Sequence, residues 1–337
     1  TASSDALHES TLNTAPTSSE RFDSLLPLLP GVVRGPDGLI NMKGARSSQG
    51  GLLLNSANVT DPVTGGSGIN LPIDVVSTAQ VISNPYDPEY GKLSGAVAAV
   101  ATRVSEFQKF HFTLQNFMPR LRVPDGSVVG IEATTPRATF TGPLKKGRIA
   151  YLQSLEYRYV RTPVETLPPL NRDSEIESFD SFTQFDINLS ERQTASASLA
   201  IHPQKLNYLG LNTFAPQLAT PDLRQRGYFG SFQHRFVSSG GGLLTSQFSF
   251  KKFDSDLRPN SNEPYRLGVE TAEGGFFNRQ HRDTSRTEWQ EIYNFPSIRQ
   301  LGEHTPKIGL DVVRNSYDGR YSSLPVEILR SSGTVVE

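Results

Sequence analysis

The sequence predicts two unlike regions. Residues 21–104 read as a compact unit of mixed helix and strand, and residues 105–337 as antiparallel β-structure patterned like part of a membrane barrel. Three observations predict this. Up to about Arg103 the apolar segments are short and bounded by Gly, Pro, Asn and Asp. Beyond it, apolar and polar residues alternate in stretches of about 10 to 15 residues, longer than the usual strand of a soluble sheet. The connections between those stretches alternate between tight turns and long polar links, the asymmetry of an up-and-down barrel with short turns at one end and long loops at the other. An antiparallel sheet half buried in a soluble domain produces the same alternation of residues, though not of loop lengths.

The lead-in, residues 1–20, is rich in Ser, Thr and Ala with scattered charge. It has little apolar surface to bury and reads as flexible. RFDSLLPLLPGV then supplies one or two helical turns stopped by Pro30 and Gly31. GLINMKG and GGLLLN read as short strands, LPIDVVSTAQVISN as a helix-to-strand pair, and GAVAAVATR as a closing strand of small residues.

In the second region EFQKFHFTLQNFM places Phe110, Phe112 and Leu114 on one face. RIAYLQSLEYRYV sets Ile149, Tyr151, Leu155, Tyr157 and Tyr159 against Ser154, Glu156 and Arg158. FDSFTQFDINLS sets Phe179, Phe185, Ile187 and Leu189 against Asp180, Asp186 and Asn188. GPLKKG, SERQT and SSGGG are the tight turns; TPVETLPPLNRDSE, HPQKLNYLGLNTFAPQLATPD and the stretch from Arg258 to about Arg279 are the long links. A polar face opposite an aromatic-rich one suits a wet lumen and a lipid exterior. Tyr151, Tyr157, Tyr159, Phe229, Trp289 and Tyr293 are candidates for aromatic girdles.

Composition narrows the function. With 33 basic and 34 acidic residues among 337, the chain lacks the basic excess of a general nucleic-acid binder. With no cysteine it holds no disulfide framework and no thiol chemistry. The six histidines (His8, His111, His202, His234, His281, His304) have no metal-ligand spacing and read singly as exposed or loop residues. Asp173, Glu175 and Glu177 read as a charged loop, and no catalytic constellation or cofactor motif is present, so the chain is read as a non-enzyme.

The first region resembles the plug domain of TonB-dependent outer-membrane receptors. LLPLLPGV, GLINMKGARSSQG, GGLLLNSANVTDP and LPIDVVSTAQVISNPYDPEYGKLSGAVAAVATR follow in the order of that family. ATFTGPLKKGRIAYLQSLEY and GEHTPKIGLDVVRNSY are similar to the barrels of its large Oar-like members. Lys43 stands where the family has Arg, and Asn55-Ser56 where it has Asn-Gly. The resemblance implies a plug seated on the inner face of an incomplete barrel of about nine or ten strands, against the 22 of a closed transporter of this type, and hence a piece of a longer chain.

It further implies a receptor importing a scarce nutrient (siderophore, cobalamin, oligosaccharide or peptide) by energised plug displacement, with TonB, outer-membrane lipid and the nutrient as partners. No TonB box is identifiable in residues 1–20. Lys43, Arg46 and Glu89 would tie plug to barrel through ions, and Asn55, Asn58 and Asp61 would form an outward loop facing the ligand. The competing reading is a secreted β-rich carbohydrate-binding module or glycoside hydrolase, which would bury both apolar faces of its sheet.

Overall fold

The computed structural model describes residues 4–8, 22–35, 39–46, 49–61, 63–83, 95–123, 126–300 and 302–336. Its first part is a small sheet of five strands: β1 (Ser4–His8), β4 (Gly51–Leu54), β5 (Ala57–Asn58), β6 (Val76–Ile82) and β7 (Val97–Thr102), in the order β1-β6-β7-β4-β5. The β4 strand runs parallel to β7, and the other pairs are antiparallel. A helical turn, α1 (Phe22–Leu25), continues as a 3-10 turn over Leu26–Leu28, with Pro27 preset for the turn. The chain then leaves through Gly31 at φ 75° into the hairpin of β2 (Val32–Arg34) and β3 (Ile40–Met42).

One expectation for the lead-in fails here. Ser4–His8 is not a loose segment but a strand paired with Thr78–Ile82. The unpaired backbone along the β6 edge supplies hydrogen bonds that a polar sequence can use as well as an apolar one.

The second part is one continuous wall of eleven strands. Its elements are β8 (His111–Gln115), β9 (Arg120–Arg122), β10 (Gly130–Thr134), β11 (Arg137–Lys145), β12 (Ile149–Pro163), β13 (Asp173–Ser190), β14 (Gln193–Asn207), β15 (Pro221–Val237) and β16 (Leu243–Pro259). After two short strands of a long connection, β17 (Tyr265–Leu267) and β18 (Ala272–Glu273), the wall resumes with β19 (Asn278–Asn294). A hairpin of β20 (Ile298–Arg299) and β21 (Glu303–His304) leads to β22 (Lys307–Ser323), and β23 (Val326–Ile328) follows.

Because β11 and β10 share one edge of β12, and β8 and β9 pair with them in turn, these four are two interrupted ribbons. The wall therefore consists of nine antiparallel ribbons. Residues 146–148, 191–192 and 238–242 join them at one end, and the longer 164–172, 208–220 and 260–277 at the other. At the short-turn end the connection 295–306 is longer and holds the β20–β21 hairpin. At 18 residues β13 exceeds the expected stretches, and β12, at 15, reaches their upper end.

The alternation read from sequence sets the two faces of the wall. Ala150, Leu152, Ser154 and Glu156 are buried on the inner face, while Tyr151, Leu155 and Tyr157 alternate with them on the outer one. Along β13 the outward residues from the short turn are Leu189, Ile187, Phe185, Thr183, Ser181 and Phe179, and then Glu177, Glu175 and Asp173. Along β16 Leu244, Ser246, Phe248 and Phe250 give way to Lys252 and Asp254. Phe232, Phe248 and Trp289 are 48%, 49% and 47% exposed, and among the described residues no second layer covers them. A soluble sandwich would bury this face.

Two expectations are corrected on this wall. Phe229 belongs to no outer girdle: it is buried on the inner face, in the core cluster with Phe182, Leu152 and the small sheet. Asp173, Glu175 and Glu177 are not a loop but the outward end of β13. There Asp173 pairs with Arg122 at 2.7 Å and Glu175 with Arg161 at 3.0 Å.

Candidate functional site: the seam between the small sheet and the wall

The core is shared. Leu25, Leu54, Val75, Val81 and Val100 of the small unit form one buried cluster with Leu152, Phe182, Ala200 and Phe229 of the wall. Around this patch the seam is polar, and it follows one cross-strand row of inward residues. Arg137, Glu156 and Asp180 stand in register on β11, β12 and β13, and His202, Gly227, Phe253 and Thr284 continue the row on β14, β15, β16 and β19.

The small unit meets the row at three points. Asp74 forms an ion pair with Arg137, 2.7 Å from its Nε, and accepts a hydrogen bond from Thr139 at 3.3 Å; Glu156 lies 3.9 Å beyond the guanidinium. At Gly227 a Cβ would run into the carbonyl of Gly68, so only glycine lets the small unit approach that closely. At the far side Asp61, 1% exposed, accepts from Arg282 at 2.9 Å and from Thr64 at 2.6 Å, with Thr284 at 3.5 Å. Arg282 also lies over the Phe253 ring, 5.4 Å from its centroid. Lys251, buried, donates to the Thr60 carbonyl. Removing one partner from pairs this buried leaves an uncompensated charge, which makes them costly to break singly.

Nearer the short turns the seam opens into a polar cavity of about 610 Å³. Asn55, Asn58 and Gln80 of the small unit face Asp186, Gln247 and Arg286 of the wall across it. Thr102 donates to Gln184 at 2.6 Å, and Gln184 donates to the Arg103 carbonyl at 3.0 Å. The Ser105 N–H donates to Asp186 at 2.7 Å, so the chain enters the wall at this end.

The residues singled out from sequence fall in different places. Asn55 is at φ 48° in the β4–β5 turn; its amide is occupied by Thr102, donating to the hydroxyl at 2.8 Å and accepting the N–H at 3.0 Å. Asn55 and Asn58 line the cavity toward the short turns, whereas Asp61 sits higher, in the ion pair with Arg282. The three do not form one surface. Lys43, at φ 50°, is half-buried with its stem over Gly31, and Arg46 is exposed beside Gln49. Glu89 lies outside the described residues. Asp74, Arg137, Arg282 and Lys251 were not singled out. Their partners lie up to 221 residues away in the chain, so no local spacing announces them.

His202 corrects the reading of the histidines as exposed or loop residues. It is buried on the inner face, with Nδ1 2.5 Å from Asp180 and Nε2 3.0 Å from Gln204. Among the described residues no group of three or more His, Asp or Glu side chains could hold a metal ion.

No family model matches the chain. Among curated proteins it is 25% identical over 181 residues to the TonB-dependent transporter Oar of Myxococcus xanthus, a match covering 49% of this chain and 17% of that protein. Among solved structures, the outer membrane transporter YddB from Escherichia coli matches 99% of this chain and 51% of its own at a TM-score of 0.69 and 12% identity. The pyoverdine receptor FpvA of Pseudomonas aeruginosa matches 95% of this chain and 47% of its own, at a TM-score of 0.72 and 10% identity. The siderophore receptor PirA of Acinetobacter baumannii matches at a TM-score of 0.67 and 15% identity, over 93% and 48%. The chain thus spans about half the length of the solved structures that share its fold. Related in sequence to Oar and built on the fold of these receptors, the chain is a relative of the TonB-dependent outer-membrane receptors.

Proposed function

We propose that the small sheet is the plug, and the nine ribbons the first part of the barrel, of an outer-membrane receptor that imports a scarce nutrient. In this reading external loops capture the ligand, and TonB, pulling from the inner membrane, displaces the plug and opens a path through the lumen. The chain itself makes and breaks no covalent bond.

The observation that carries the reading is the outer face. From Leu189 to Phe179 the outward residues of β13 carry no charge, and at about 3.4 Å per residue this stretch runs about 34 Å along the strand. Tilted by about 40°, it spans about 26 Å, the height of the apolar band of an outer-membrane barrel. The strand then continues as Glu177, Glu175 and Asp173, with Tyr157 and Tyr159 donating to Glu177 and Glu175 at 2.9 and 3.2 Å, a composition suited to the headgroup region. The polar seam supports the second half of the reading. Its ion pairs and the polar cavity beside them take up water once parted, so releasing the plug exposes less apolar surface than a wholly apolar interface would.

Fractionation tests this. The full-length protein from the parent gene is expected in the outer membrane, resistant to extraction by high salt. Uptake of its nutrient should be lost when TonB is deleted. Recovery of that protein as a soluble species from periplasm or medium would contradict the proposal.

A further inference from the structure

The inner face carries a second pattern above the docking row, toward the long loops. Two residues along each strand lies an uncharged hydrogen-bonding row: Ser178, Gln204, Gln225 and Ser255, in register on β13 to β16. Two residues further lies an aliphatic row: Val160, Ile176, Leu206, Leu223 and Leu257, in register on five consecutive strands. All five share the parity of the buried inner residues of their strands, so they face inward. They are half-buried, and none belongs to the shared core beneath. A water-filled lumen gives no reason for five aliphatic side chains to stand side by side, since each exposes apolar area at a cost.

Resting on the receptor reading above, we propose that these two rows are a ligand-binding surface for a short, uncharged peptide with aliphatic side chains. The aliphatic row accepts the side chains, and the carboxamides of Gln204 and Gln225 pair with backbone N–H and C=O groups, to which amides are matched as both donors and acceptors. The charges bordering the rows are already committed. Arg282 is neutralised by Asp61, and Arg158 has interactions within the protein. An anionic iron chelate would need unpaired cations here. An oligosaccharide is bound best by aromatic platforms, and neither row contains an aromatic ring.

The test uses the full-length receptor in detergent and, as probe, a blocked hexapeptide of alternating leucine and serine. An anionic ferric tris-catecholate and maltohexaose serve as comparison probes, with binding followed by calorimetry. The peptide is expected to bind, and Leu223→Asn combined with Leu257→Asn should weaken it by about tenfold or more, while outer-membrane insertion is unchanged. Should that double variant fail to insert, Leu206→Asn alone on β14 provides the same readout, with a smaller loss. Leu223→Arg should admit the ferric chelate. No binding of the peptide by an outer-membrane-inserted receptor, peptide binding indifferent to these substitutions, or tighter binding of either comparison probe at this surface would overturn the inference. Those results leave the receptor reading standing, whereas failure of the wild-type protein to reach the outer membrane would overturn that reading first.

Discussion

The small sheet and the wall solve the burial of apolar residues in opposite ways. In the small unit Leu25, Leu54, Val75 and Val97 are at most 1% exposed, as in the core of a soluble domain. The wall buries apolar side chains mainly where it touches that sheet, at Leu152, Phe182, Ala200 and Phe229, and turns Phe232, Phe248, Phe250 and Trp289 outward. The small unit turns its apolar residues inward, into a core that the wall completes. The wall leaves an apolar face exposed on one side and packs against the small unit on the other, and the two regions meet at the seam.

The contrast can be broken most severely at the shared core. Phe182→Ala removes a fully buried ring and should cost about 3–5 kcal/mol, read as a lowered urea midpoint for the full-length protein in detergent. Phe248→Ala, outward on β16, should leave that midpoint within about 0.5 kcal/mol. If the two cost the same, the faces are wrongly assigned.

The next effect concerns the seam's charge. Asp61→Asn leaves Arg282 without its carboxylate and should destabilise docking by about 3 kcal/mol, seen as protease cleavage of the small unit at lower urea while the wall stays intact. Cleavage at unchanged urea would show that the ion pair does not hold the unit. Gly227→Ala sharpens the comparison further. Its Cβ meets the Gly68 backbone and should cost about 2 kcal/mol, whereas Gly230→Ala, outward on the same strand with only the Ser198 carbonyl at 4.0 Å, should be nearly neutral. Smallest of all, Arg46→Ala removes an exposed side chain and should shift stability by less than about 0.5 kcal/mol in the same assay.

What was legible in the sequence follows from how local each signal is. Period-two alternation fixed which residues of β12 and β13 share a face, because the pleat imposes it strand by strand. It did not say where Phe229 goes. Phe229 and Phe232 lie three apart and must face opposite ways, and the close approach of Gly68 to Gly227 decides which one turns inward. The helical turn at Phe22–Leu25 and the strand at Val97–Thr102 were readable from their Pro, Gly and small-residue neighbours. Ser4–His8 was not, since its pairing with β6 rests on backbone groups that every sequence carries. Asn55 and Asp61, close in sequence, were read as one ligand-facing loop. The chain climbs between them from the level of Gln247 to that of Arg282, so one lines the lower cavity and the other locks the upper seam.

Lipid exposure of β16 tests the central claim most directly, and residues 1–337 contain no cysteine that would compete with the labels. Spin labels placed singly through Phe248→Cys, Ser249→Cys and Phe250→Cys in the full-length protein, in outer-membrane lipid, report collisions with oxygen dissolved in lipid and with a water-soluble nickel complex. Positions 248 and 250 should be open to oxygen and closed to nickel, with 249 shielded from oxygen beneath the small sheet. Equal accessibility at the three positions, or nickel contact at 248 and 250, would contradict a wall with lipid on one side and its own small unit on the other.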